Sequence, residues 1–264
     1  MIDKRIGFLI SSKIKKIFKK KNISLHSPVF SFYDKALIKK CIQSTFVSSY
    51  GPWTDKFEKI LKKFTKSKNV IAVCNGTSAL HLSLKSLNIG INDEVIISNL
   101  NFIAAPNAIK YCGAEPILID CCQKSLGIDV EKFEDFLKKK TLKRKKYLIN
   151  KITKKKIKAL IVTHIFGHSG DIEKIVKISK KYNLRVIEDA SEALGSFYKK
   201  KHLGTFGDIG VLSFNGNKII TTGGGGAVLT NNKKISNYLR HISTTAKKKH
   251  NFKFDYDEIG YNYR

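Results

Sequence analysis

The sequence predicts an α/β domain built on a largely parallel sheet with helices on both faces. Two observations carry that prediction. Short apolar runs, such as Val70-Ile71-Ala72-Val73 and Ala159-Leu160-Ile161-Val162-Thr163, alternate with longer stretches whose apolar residues recur at helical spacing. The apolar runs also stop at small or polar residues, as strands do whose carboxyl ends open onto a ligand crevice.

Taken in order, residues 1–26 form a basic extension. Ile6-Gly7-Phe8-Leu9-Ile10 is followed by the lysines of 13–21 and by no small-residue cleavage site, so a signal peptide is not expected. It reads as solvated, with a membrane-touching amphipathic helix as the second reading. Ser27-Pro28 opens the main domain, expected over residues 27–245. Residues 34–44 have a helical rhythm, and Trp53, Phe57, Ile60, Leu61 and Phe64 mark one side of a second helix. Val70–Val73 is a buried-type strand ending at Asn75-Gly76-Thr77-Ser78, ahead of a helix from Ala79. Strand, Gly-Thr-Ser turn and helix can aim free N–H groups and hydroxyls at an anion, or be an ordinary helix cap. Further strands follow at 94–98, 116–120, 159–163, 184–187 and 210–214. Helices are expected at 102–111, 130–140 and 171–181.

The formal charge of +29 invites a nucleic-acid or anionic-membrane reading. Lysines are spread along nearly every segment, however, and arginine, the better reader of phosphates and base edges, accounts for only five of the 50 basic residues. A dedicated, sequence-specific nucleic-acid partner is therefore not expected. Five cysteines without CxxC spacing exclude a disulfide framework and a zinc site, no metal is expected, and a reducing cytoplasm fits. No apolar run is long enough for a transmembrane helix.

The polar residues at the strand ends should meet: the Asn75–Ser78 turn, Asn101, His164, Asp189, and the stretch from Ser213 through Lys218 into Gly223–Gly226. A lysine between a strand and four glycines suits a carbonyl-attacking amine, although a solvated lysine in a glycine-rich hairpin has the same local sequence. Asp189 can equally be a helix cap or a salt-bridge partner. An anion cradle, a strand-end carboxylate and a lysine are together what pyridoxal phosphate requires for its phosphate, its ring nitrogen and its aldehyde.

Several spaced motifs carry a more specific resemblance. They are Phe46-Val47-Ser48 with Gly51, Asn75 to Leu80, Glu188-Asp189-Ala190-Ser191-Glu192-Ala193-Leu194-Gly195, Phe206-Gly207-Asp208, Ser213 to Gly226, and Ile259 to Arg264. From about Ser27 to its last residue the chain resembles the DegT/DnrJ/EryC1/StrS nucleotide-sugar aminotransferases. The resemblance implies the three-layer large domain of a fold-type I pyridoxal-phosphate enzyme, with a mostly parallel seven-stranded sheet. It implies Lys218 as the Schiff-base and proton-moving lysine, and Asp189 as the partner of the pyridine nitrogen. Gly76, Thr77, Ser78 and Ser213 would hold the phosphate, and Phe102 would stack on the ring, although an aromatic there can equally be core. Asn215 would lie near cofactor or substrate, and Asn262 would reach the cofactor of a partner subunit in a homodimer. The implied activity is transamination of a nucleotide-linked keto-deoxysugar from an amino-acid donor such as glutamate, in polysaccharide or glycan biosynthesis.

Three departures qualify the resemblance. Glu192 stands where many relatives carry Gln or His, near the cofactor's phenolic oxygen, so it is expected to be protonated or turned to the substrate. Gly223–Gly226 replaces a Gly-Glu-Gly-Gly pattern, which tilts the substrate toward a UDP-linked 4-keto sugar. Residues 246–264 begin what in relatives is a C-terminal small domain, and the rest of that domain is expected to be missing. A split enzyme or a truncated, non-catalytic remnant is the alternative, whereas keeping Lys218 argues against the dehydratase branch of the fold.

Overall fold

Caps written into the sequence set where the helices begin. The structure, a computed structural model, describes residues 3–248 and 252–264. Residues 1–2 of the basic extension and 249–251 of the C-terminal piece lie outside the described residues. Helix α1 (Lys4–Phe18) is capped by Asp3 and buries none of its residues. Ser31 and Asp34 cap α2 (Phe32–Gln43) reciprocally, and Gly51 precedes the proline that starts α3 (Pro52–Thr65). After β1 (Asn69–Val73), Asn75 caps α4 (Gly76–Ser86) by accepting from the Ser78 N–H at 2.8 Å.

The alternation continues through β2 (Asp93–Ser98), α5 (Ala104–Tyr111), β3 (Glu115–Ile119) and α6 (Val130–Lys140). It then passes β4 (Thr141–Arg144) and β5 (Tyr147–Asn150) to reach β6 (Lys156–Thr163), α7 (Ile172–Lys181) and β7 (Arg185–Asp189). A small ribbon, β8 (Phe197–Tyr198) and β9 (Lys201–His202), precedes β10 (Ile209–Ser213), β11 (Gly226–Thr230) and α8 (Lys233–Ser243).

The main sheet runs β1-β11-β10-β7-β6-β2-β3. Within that path only β11 opposes the others, pairing antiparallel with both β1 and β10. This is the mostly parallel seven-stranded sheet expected, extended by the β4–β5 hairpin, which pairs with the start of β6. The hairpin occupies the lysine-rich stretch where no element is expected from sequence. Its basic residues, Lys143 to Lys146, gather at the turn, whereas Leu148 of β5 is buried. Sequence reading also places no element over residues 226–243, where β11 and α8 stand.

Side chains alternate between two cores as strand geometry requires. Val95, Ile97 and Ile161 face α4, α5 and α8, whereas Ile96, Leu160 and Val186 face α6 and α7. A third cluster joins Leu61 of α3 to Val70, Leu212, Phe214 and Leu229. With both faces covered, every residue of β2 is buried. The carboxyl ends of β2, β6, β7 and β10 therefore open on one side, at the rim the helices leave free.

The C-terminal residues fold back onto this body. The Cys74 N–H donates to the Tyr263 carbonyl at 2.8 Å, and Tyr261 and Tyr263 stack on each other while packing against the core. Among the described residues no helix is long and apolar enough to cross a membrane.

Candidate active site

The strand ends do converge. A cleft of about 460 Å³ is lined by Gly76 and Thr77 after β1, Asn101 and Phe102 after β2, and His164 after β6. Asp189 and Glu192 after β7, and Ser213, Asn215 and Lys218 after β10, complete it. A larger hollow of about 560 Å³ between α2, α3 and Phe214 contains no carboxylate and no lysine, so the lysine–carboxylate set belongs to the smaller cleft.

The helix start at α4 is shaped by close approach. A Cβ on Gly76 would come within 3.0 Å of Ser213 Cβ and 3.3 Å of Ser191 Oγ. A Cβ on Gly226 would sit 2.5 Å from the Asn75 carbonyl carbon, so the last of the four glycines lets β11 press against the β1–α4 turn. The N–H groups of Gly76 and Thr77 head the helix without intrahelical acceptors, beside the hydroxyls of Ser213 and Ser191. Backbone donors, hydroxyls and the positive end of the helix suit a phosphate.

Asp189 is only 5% exposed. Ser191 donates to its Oδ1 twice, from Oγ at 2.6 Å and from N at 3.2 Å. Burial pushes the Asp189 carboxyl up, partly countered by those Ser191 bonds and by the nearby His164 and Lys218. Its neighbour Glu188 points to the opposite face, fully buried. It accepts from the N–H groups of Phe206 and Gly207 at 2.6 Å and Gly204 at 2.8 Å, with His164 Nε2 at 2.9 Å. Burial raises the Glu188 carboxyl, but His164 and the Gly207 and Gly204 amides outweigh it and hold the group below the ordinary carboxylate value. His164 Nδ1 is buried without a protein partner and belongs to the residue that floors the cleft.

Lys218 leaves the end of β10 on a tight turn, its N–H bonded to the Asn215 carbonyl at 3.0 Å. Its side chain is 15% exposed, and Nζ lies 2.9 Å from Glu192 Oε1. The other Glu192 oxygen accepts from the Phe166 N–H at 3.2 Å. Phe166 and Gly167 both have positive φ, 51° and 78°, which turns that N–H toward Glu192. The Phe102 ring centre is 6.0 Å from Lys218 Nζ, and Phe102 is 69% exposed, which removes the core reading of this aromatic. Two expected residues stand apart from the cleft. Ser78 is buried with its hydroxyl accepting from Cys74 Sγ at 3.2 Å, and Asn262 is exposed on the C-terminal segment, bridged to Thr244. Sequence reading gives no role to Glu188, Ser191 or Phe166. A charged residue inside an apolar strand, as Glu188 is, was the available signal, because such a group is buried only when paired.

Comparison with known proteins agrees with this arrangement. The family model for DegT/DnrJ/EryC1/StrS aminotransferases matches residues 33–264. The chain belongs to the DegT/DnrJ/EryC1/StrS aminotransferase family. It is 40% identical over 247 residues to GDP-perosamine synthase of Escherichia coli O157:H7, covering 92% of this chain and 62% of that protein. The chain thus spans less than two thirds of that relative's length. A family aminotransferase from Brucella abortus superposes with a TM-score of 0.78 at 29% identity, over 87% of this chain and 59% of that one. NtdA of Bacillus subtilis, solved with bound cofactor PMP, gives a TM-score of 0.73 at 25% identity, covering 93% of this chain and 54% of its own. Pyridoxal phosphate is the cofactor of the family. The cleft fits it: a helix start where a side chain at Gly76 would crowd Ser213 and Ser191, a lysine in the same lining, and a buried carboxylate. Among the described residues, none places a cation in ion-pair contact with that carboxylate.

Proposed function

We propose that the chain is the cofactor-binding body of a pyridoxal-phosphate-dependent aminotransferase acting on a keto-deoxysugar carried by a nucleoside diphosphate. The observation that carries the reading is the convergence of Lys218, Asp189 and the Gly76–Thr77 helix start on one cleft. When bound, the cofactor supplies an aldehyde that exchanges amines and a ring that accepts the electron pair left when a Cα proton departs.

The chain's own groups do the rest. The α4 N-terminus, with Ser213, binds the phosphate and fixes the ring's position. Asp189 is costly to bury as a bare carboxylate, so it favours a protonated ring nitrogen against it. Lys218 Nζ, oriented by Glu192, would take the proton from the substrate carbon and deliver it across the shared nitrogen to the carbon that carried the aldehyde, a transfer its mostly enclosed side chain shields from water. Glu192, 2.9 Å from Lys218 Nζ, is turned to the amine, so a substrate that reaches the lysine meets this carboxylate beside it. Ser78 supports the turn, and Asn262 serves a neighbouring subunit's site in a homodimer. Residues 27–245 act as the large domain and 246–264 as the lead into a second.

The four-glycine run points to UDP as the nucleotide, whereas the likeness to GDP-perosamine synthase supports GDP. Purified protein given pyridoxal phosphate should gain the visible absorption of a lysine-bound cofactor, lose it on adding glutamate, and never gain it as Lys218→Ala. The same spectrum after Lys218→Ala would overturn the reading. Recovery of the band on adding a UDP-linked or a GDP-linked 4-keto sugar then decides the nucleotide.

A further inference from the structure

Among the described residues, α1 is the one helix with every residue exposed. It is also outside the family match, which begins at residue 33. Yet its sequence is strongly patterned. Ile6, Ile10, Ile14, Ile17 and Phe18 recur at spacings of three and four, so they form one stripe along the helix, and they are between 40% and 75% exposed. Lys4, Arg5, Lys15 and Lys16 fall on the other side, together with Phe8 and Leu9, and Lys13 borders the stripe beside Ile6 and Ile17. Across residues 3–26 there are eight Lys or Arg and a single acid, Asp3, whose side chain is taken up capping the helix.

A solvated tail has no use for an isoleucine stripe, and contact with nucleic acid needs only the lysines. An anionic bilayer uses both sides at once. Isoleucine and phenylalanine enter the acyl boundary while lysine stems reach up to phosphate and carboxylate headgroups. At 15 residues the helix is about 22 Å long, suited to lying in the interface and too short to cross it. We propose that α1 is an interfacial anchor that lays this protein on an anionic lipid surface. On the function proposed above, the cleft would then work beside a membrane surface.

Co-sedimentation of the full chain with vesicles tests this. The protein should pellet with vesicles of equal parts phosphatidylcholine and phosphatidylglycerol, and much less with phosphatidylcholine alone. A highly basic protein adsorbs to such vesicles by charge, so the deciding variant leaves charge untouched. Ile10→Gln with Ile14→Gln should lower partitioning roughly a hundredfold by removing two buried aliphatic side chains. Lys15→Gln with Lys16→Gln should lower it roughly tenfold or more. Both variants should melt as the parent does, because α1 buries nothing in the fold. In Phe18→Trp, the added emission should shift to the blue on mixed vesicles. Undiminished binding of the isoleucine variant, an unshifted emission from Phe18→Trp, or a parent that stays in solution would each overturn the anchor. So would a lipid-free oligomer that the isoleucine variant dissociates, which would give the stripe to a second copy of the chain.

Discussion

Asp189 and Glu188 are adjacent carboxylates with opposite fates, and the difference lies in their donors. Glu188 collects three backbone N–H groups and an imidazole, which together overcome its burial. Asp189 receives only Ser191, and burial prevails. A carboxyl lowered in the fold adds stability above its unfolded value of 4.5, and that stability is lost as pH falls through the folded value. A carboxyl raised in the fold does the reverse. The fold binds its proton more tightly than the unfolded chain, so stability falls as pH rises from 3.8 through the folded value. At neutral pH Asp189 therefore weakens the cofactor-free protein, a cost that a cationic ring nitrogen would cancel. Asp189→Asn keeps an oxygen for Ser191 and removes the charge. It should melt at a higher temperature than the parent at pH 7, with the gap closing toward pH 4, while pyridoxal phosphate stabilises it less than it does the parent. A lower melting point at pH 7 would refute this account.

At the level of elements, the sequence shows the alternation clearly because buried parallel strands are short runs of Val, Ile and Leu, and their helices keep a 3.6-residue period. It conceals β4 and β5, because exposed Lys143 and Arg144 on edge strand β4 and Lys145 and Lys146 in the turn after it read as a solvated charge run. It also conceals β11, which begins at the last of four glycines, and with it α8. The same division applies to the cleft. Asp189 is legible because it ends a strand, and Lys218 because it stands between a strand and four glycines, but the hub around Glu188 depends on backbone donors arriving from residues 204–207, which no local pattern announces. The glycine run is the instructive case, since local sequence offers flexibility and the structure uses it for contact. Gly226→Ala would force a methyl into the Asn75–Gly76 backbone. Overpacking of this kind costs about 1–3 kcal/mol. Because it displaces the α4 start, cofactor affinity should also fall, as read by titration of the visible absorption. Gly216→Ala, with nothing within 4 Å of the new Cβ, should stay within about 0.5 kcal/mol of the parent and bind normally. Equal effects from both would show that loop flexibility, not contact, is what the glycines supply.

For the molecule as a whole, charge is the dominant peculiarity. Against 50 basic residues stand 21 acidic ones, so even complete pairing leaves a surplus of +29. A compact chain of 264 residues has a radius of gyration of about 18 Å. At about 10 mM salt the screening length is about 30 Å, so lysines across the molecule repel one another, whereas at about 150 mM it is about 8 Å and only neighbours interact. Salt also weakens the surface pairs, such as Lys139 with Asp135 at 2.6 Å and Lys110 with Glu115 at 2.7 Å. Exposed pairs of this kind are worth about 0–1 kcal/mol each, and there are too few acids for them to balance the surplus. Relief of repulsion should win, and the melting temperature should rise between low and physiological ionic strength. A chloride held at the α4 N-terminus would also stabilise the fold, so the anion must be varied. Sodium chloride and sodium acetate at equal ionic strength should give the same rise if screening is the cause. A rise with only one of them would assign the effect to a bound ion, and a fall with both would show that local pairs, sparse as the acids are, govern the electrostatic stability of the fold.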